Sequence, residues 1–293
     1  MKSAPTGESK ITSKIFPSPQ HRKAISKEVS YIFALAKKAD EAEYFCSIKY
    51  FLDINSLHSK TPGKELLDTI NETTLLAKEG IKGNVSIKIL SYVYCQVFES
   101  ENWLDLMYNL INIIKGNCAA MRPFKKEITD KERSLALKEI QGILANSQIE
   151  QAKIQGIKEQ LNRVLNPFFT IQGKINKIVE LAEEAKLSSL AQIFKFLYVN
   201  DFRNDFTHSH YVIYKGVFNL FKANRSIQLE PLIELITSAL NLYANIGAEA
   251  SNEFEGALKS GKKLYKGKCG TVSITDNKDG TITHESSMKC ANF

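Results

Sequence analysis

Apolar residues recur at spacings of three and four along most of this chain, the pattern of helices that bury one face. Between about Ala24 and Leu57 the series Val29, Ile32, Phe33, Leu35, Ala36 and Ala39 is continued by Phe45, Ile48, Phe51 and Leu52, and Thr61-Pro62-Gly63 ends it. A shorter helix is predicted from Lys64 to Glu79, closed by Gly80 and Gly83. Residues 85–98 have the β-branched and aromatic content of a strand, but their length and i, i+3, i+4 recurrence favour a buried helix. Trp103 to Ile114 reads as another helix, and Met121-Arg122-Pro123 as a turn.

Thr129-x-x-Glu132 is a capping-box signature that opens a long helix, stopped before Asn166-Pro167 because a residue preceding proline is pushed out of the helical region. A helix carrying Ile175, Ile178, Val179 and Ala182 follows, and Ser189-x-x-Gln192 reads as a second capping box. Amphipathic helical patterns are expected on both sides of the segment 199–210, the later one running through Tyr211, Val212, Tyr214, Val217, Phe218 and Phe221. Pro231 suits the first position of a further helix bearing Leu232, Leu235, Ile236, Leu240, Tyr243 and Ile246. Near Lys259 the composition changes. Two Thr-rich alternating runs, 271–275 and 281–284, flank an Asp-Gly turn and predict a hairpin. Two strands alone are marginal in water, so this hairpin must dock on the helices, pair with another chain or frame a small appendage.

The fold class expected is therefore all-α, a multi-helix bundle with a small C-terminal β-hairpin. Its parts are a flexible basic arm (1–23), an N-terminal helical region (24–120), a second helical bundle (121–258) and a basic segment with the hairpin (259–293). The net charge of +7 sits at the ends: residues 1–30 carry +4 and 255–293 carry +3, leaving the body neutral. Basic ends suit nucleic acid or another acidic partner, or are simply solvated. The lysines at 259, 262, 263, 266 and 268 invite the same two readings. Five scattered cysteines, with no CxxC or Cys/His spacing, argue against a disulfide framework or a zinc knuckle, and Cys46 and Cys95 read as core thiols. With no apolar signal region and no run long enough to span a bilayer, a cytoplasmic location and no membrane contact are expected.

Candidate chemistry concentrates in Val199-Asn-Asp-Phe-Arg-Asn-Asp-Phe-Thr-His-Ser-His210. On a helix Asn204 and His208 share a face, so the amide can orient the imidazole. Arg203 and His208 are five apart, roughly 140° around the helix, so a common target requires a bend or a second copy of the site. An arginine fork holds phosphate and a histidine takes or gives a proton near neutral pH, which suits phosphodiester chemistry. RNA supplies its own 2′-hydroxyl nucleophile, so neither metal nor cofactor is required. The alternative is that both side chains satisfy carbonyls and carboxylates inside a bundle. His210, Tyr211 and Lys215 are candidate RNA contacts; Tyr211 and Tyr214 either stack on bases or lie in the core. A metal pair at His208-x-His210 lacks an acidic partner motif, and His284 reads as structural or exposed.

The run Arg203-Asn204-Asp205-Phe206-Thr207-His208 resembles the R-x(4–6)-H motif of the HEPN superfamily, and the helices before it and the one from Pro231 resemble that family's approach and closing helices. The resemblance covers about 165–250. It implies a helical bundle that dimerises so that two motifs face one cleft, and a metal-independent endoribonuclease of toxin, phage-defence or stress type. By that resemblance Arg203 binds the scissile phosphate, His208 transfers a proton and Asn204 positions it. Partners implied are RNA, a second copy of the chain and an antitoxin or regulatory protein. Some members of the family are non-catalytic, so a regulatory or interaction protein on the same scaffold is the competing expectation.

Overall fold

A computed structural model describes residues 19–56, 84–120, 169–260, 264–276 and 282–288, with scattered positions between 123 and 142. The helix expected over 64–79 lies outside the described residues, as does most of the long one expected from Thr129.

Helix α1 (Pro19–Ala39) begins inside the segment expected to be a flexible arm. Proline is tolerated there because the first helical N–H has no intrahelical partner to lose. The apolar series expected as one run to Leu57 is divided at Asp40. Its Oδ1 accepts from the Glu43 N–H at 3.0 Å and caps α2 (Glu41–Ser56). Residues 84–99 form the helix that their spacing favoured, α3 (Asn84–Glu99), followed by α4 (Asn102–Ile114) and α5 (Ile171–Glu184). The Thr170 hydroxyl accepts from Gly173 N–H and caps α5. In α6 (Ser188–Leu197) the expected capping box is not formed: Leu187 takes the cap position without a side-chain bond, and Ser189 is already helical. Then come α7 (Asn200–Thr207) and the long α8 (Leu229–Lys259), in which Pro231 is the third helical residue, still within the turn whose N–H groups lack partners.

Helices α1 and α3 pack along α8, and α4 touches α1, α2 and α5. The apolar core is continuous from Ile25 on α1 to Ile274 near the C-terminus. Aromatic rings run through it as a chain. Trp103 stacks on Phe194 at 5.7 Å and meets Phe98, which meets Tyr94, which packs on Phe202 of α7 at 5.4 Å.

After α7 the structure departs from the expected helix. Strands β1 (Tyr211–Tyr214), β2 (Val217–Leu220) and β3 (Arg225–Gln228) form an antiparallel meander. Lys215 and Gly216 both take positive φ, the geometry of a two-residue hairpin turn, and the β-branched and aromatic residues around them alternate inward and outward. Among the described residues the fold is thus mostly helical with two small sheets, rather than all-α.

The second sheet contains the expected hairpin, β5 (Gly270–Asp276) with β6 (Ile282–Met288), and adds β4 (Leu264–Lys266). It docks on α2 and α8 through Tyr265, Val272 and Ile274. Cys118, just beyond α4, is disulfide-bonded to Cys269 before β5, a single bond where the scattered cysteines argued against a disulfide framework. A separation of 151 residues leaves no spacing signature for such a bond. Cys95 is buried and Cys46 half-buried, as core thiols, and burial pushes both up to about 11. Among the described residues no helix is long and apolar enough to cross a membrane.

Candidate functional site

The joint between α6 and α7 is set by Tyr94, whose hydroxyl donates to Leu197 O at 2.8 Å and accepts from Val199 N–H at 2.9 Å. Phe202 is fully buried against Tyr94 and Phe218, so α7 is fixed by one ring to both the bundle and the meander. The helix then stops. His208 occupies the cap, Ser209 takes the left-handed conformation (φ 58°), Ser209 N–H donates to Phe206 O, and His210 N–H donates to Asp205 O. These paired bonds are a Schellman stop, usually built on glycine. Serine in that place hides the helix end from a sequence reading.

The motif's side chains engage different partners. Arg203 reaches to α3, where its Nη2 pairs with Glu99 at 2.7 Å, and its Nη1 donates to the Asn204 carbonyl oxygen at 3.2 Å. The Asn204 amide is thereby turned to the arginine, its neighbour, rather than used only along the face it shares with His208. The Arg203 Nε is buried with no acceptor among the described residues. His208 is exposed at the helix end, and its ring centroid lies 6.0 Å from that of His210, also exposed. The structure therefore groups Arg203 with Asn204 and Glu99, and His208 with His210.

The two nearest acids are structural. Asp205 is buried, and its Oδ2 accepts from Ala223 N–H at 3.0 Å, closing the turn between β2 and β3; Asp201 pairs with Arg225 at 3.0 Å. Tyr211 turns inward and stacks on both Phe206 and Phe218, at 5.0 and 4.7 Å, and burial raises its hydroxyl pKa. Lys215 is exposed in the first turn, its Nζ 5.3 Å above the Tyr214 ring. Tyr214 and Phe221 are 63% and 65% exposed, so the rings available to a ligand are these two rather than Tyr211. Phe221 carries no sequence signal of its own; its exposure follows only from strand register.

Elsewhere, Lys174 is buried over the Phe124 ring and paired with Glu101, and burial raises the nearby Asp105 carboxyl to about 7. The one trio of metal-capable side chains among the described residues is Glu43, Cys118 and Cys269. Metals bind thiolate, and in the disulfide neither sulfur offers one. His208 and His210 have no third metal-capable neighbour among the described residues. Of the C-terminal lysines, Lys259 pairs with Glu255, whereas Lys266, in β4, and Lys268, just after it, are exposed on a different sheet from the one that follows the histidines.

Comparison with protein-family models, with curated proteins and with solved structures returned no match.

Proposed function

We propose that the protein acts on RNA as a metal-independent endoribonuclease, a toxin or defence and stress effector on a HEPN-like scaffold. The observation that carries this reading is the end of α7, where His208 and His210 stand exposed side by side. One imidazole takes the 2′-hydroxyl proton as that oxygen attacks phosphorus; the 5′-oxygen leaves and is protonated by a second acid. The products are a 2′,3′-cyclic phosphate and a 5′-hydroxyl. A second copy of the chain supplies the second histidine set, and Arg203, held by Glu99 in the single chain, would turn to phosphate in the assembled cleft.

A second reading rests on a different observation. Arg203 is held by Glu99 and Asn204, the environment of a structural arginine, which favours a non-catalytic regulatory or interaction protein. The two separate in one experiment, cleavage of total RNA and tRNA in EDTA by wild type and His208→Ala. The nuclease reading expects wild type alone to cut, leaving cyclic phosphate ends. No cleavage by folded wild type, as monomer or dimer, would sink it. The expected cytoplasmic location belongs to this reading. The Cys118–Cys269 bond weighs the other way, since structural disulfides persist in oxidising compartments; under cytoplasmic reductants the pair would stand as thiols beside Glu43.

A further inference from the structure

We infer that the outward face of the β1–β3 meander is a binding platform for single-stranded RNA. Its geometry follows from register. Tyr211, Phe218 and Leu220 point to the core, so the alternate positions point out: Val212 and Tyr214 on β1, Val217 and Asn219 on β2, Ser226 and Gln228 on β3. The ladder is extended by Phe221 N–H donating to His210 O at 2.9 Å, which places the exposed His210 and Phe221 together at one end of this face. Tyr214 stands at the other end. Four residue steps lead from its partner Val217 to Phe221, about 13 Å at the usual rise, so the two rings meet different bases.

The charge around these rings selects the ligand. From Phe206 to Leu229 the sequence has no aspartate or glutamate, while it has the exposed Lys215, Lys222, His208 and His210; Arg225 stands opposite Leu220 and is paired with Asp201, and Glu230 follows the meander. The acids just before that stretch are occupied, Asp205 by a backbone N–H and Asp201 by Arg225. Lys215 lies over Tyr214, and Lys222 follows Phe221 directly. Each exposed ring is thus bordered by a cation, and Asn219, Ser226 and Gln228 separate the apolar groups. Discrete stacking planes bordered by cations, on strands that carry no acid of their own, suit the bases and phosphates of a single strand. An apolar protein partner would favour a continuous patch. The choice of RNA over DNA rests on the proposed nuclease reading; the platform itself rests on register and charge.

The test uses the full chain and a labelled strand of about twelve nucleotides with 2′-O-methyl sugars, which lacks the cleavage nucleophile, read by fluorescence anisotropy. Tyr214→Ala with Phe221→Ala should weaken binding by about ten- to a hundred-fold, and Tyr214→Phe should retain it, since stacking does not need the hydroxyl. Lys215→Gln with Lys222→Gln should weaken binding and flatten its salt dependence. Circular dichroism should show every variant folded. Wild-type affinity in the double alanine variant would overturn the platform, as would a dimer that this variant converts to monomers, which would make the face a subunit interface. Equal affinity for the same sequence as DNA would overturn the restriction to RNA. Binding without cleavage of unmodified RNA would retain the platform and remove the nuclease, whereas cleavage indifferent to Tyr214 and Phe221 would do the reverse.

Discussion

The two three-stranded sheets solve the same problem in opposite ways. Each has only three strands and buries one face on the helices. The meander does so with Phe218 and Leu220, continued by the ring contacts of Phe218 with Phe202, Phe206 and Tyr211. Among the described residues no covalent link reaches its outer face, where Tyr214 and Phe221 stay in solvent. The C-terminal sheet adds fasteners to its apolar face. Tyr265 packs on Phe45 at 4.3 Å, Asp40 Oδ2 accepts from Lys268 N–H at 2.7 Å, and Cys269 is bonded to Cys118. The meander is held by packing and by Asp205 and Asp201 of α7, which engage the Ala223 N–H and Arg225, and it leaves one face outward; the C-terminal sheet has a covalent lock besides.

The sharpest way to break that contrast is to open the disulfide. Cysteine-to-serine replacement at both 118 and 269 is expected to cost about 5 kcal/mol in the chain-entropy account of a loop of this length, with the unfolding midpoint in urea as the readout. RNA binding by the protein that remains folded should be unchanged, because the meander lies outside the lock. Next in size is Phe218→Ala, which empties a fully buried ring site and should cost about 3 to 5 kcal/mol. Tyr214→Ala, on the adjacent strand but facing out, should stay within about 0.5 kcal/mol of wild type in the same melt. Equal losses at the two positions would mean that the outer face is packed after all. Between those two effects falls the loss expected at Gly267. A methyl group there would fall 1.9 Å from Asp40 Oδ1, so Gly267→Ala forces the clamp apart, with an expected cost of about 1 to 3 kcal/mol in thermal unfolding. An unchanged midpoint would show that Asp40 carries little of the docking.

Asp40 also shows where sequence reading stops. Its cap on α2 is a local signal, an aspartate three residues before the N–H it accepts, and lay in plain view within the run from Ala24 to Leu57. Its second role, receiving Lys268 N–H from 228 residues away, has no local trace. The site divides in the same way. The residue types at 203, 204, 208 and 210 were legible, as was the angular separation of Arg203 from His208. Glu99 as the arginine's partner was not, because it comes from α3 and 104 residues away. The helix expected after His210 failed because a three-to-four spacing of aromatics also fits alternating strands joined by short turns, and Ser209 supplied the stop that a glycine would have advertised.

The sequence by itself determined most of the helices, since a helix's hydrogen bonds are local and its buried face repeats within a few residues. It also determined the C-terminal hairpin, whose turn and alternation are likewise local. The tertiary structure alone decided the disulfide, the inward turn of Tyr211, the outward turn of Tyr214 and Phe221, and the engagement of Arg203 by Glu99. Each of those depends on which distant element arrives at a given face, and that is settled when the whole core closes rather than by any window of the chain.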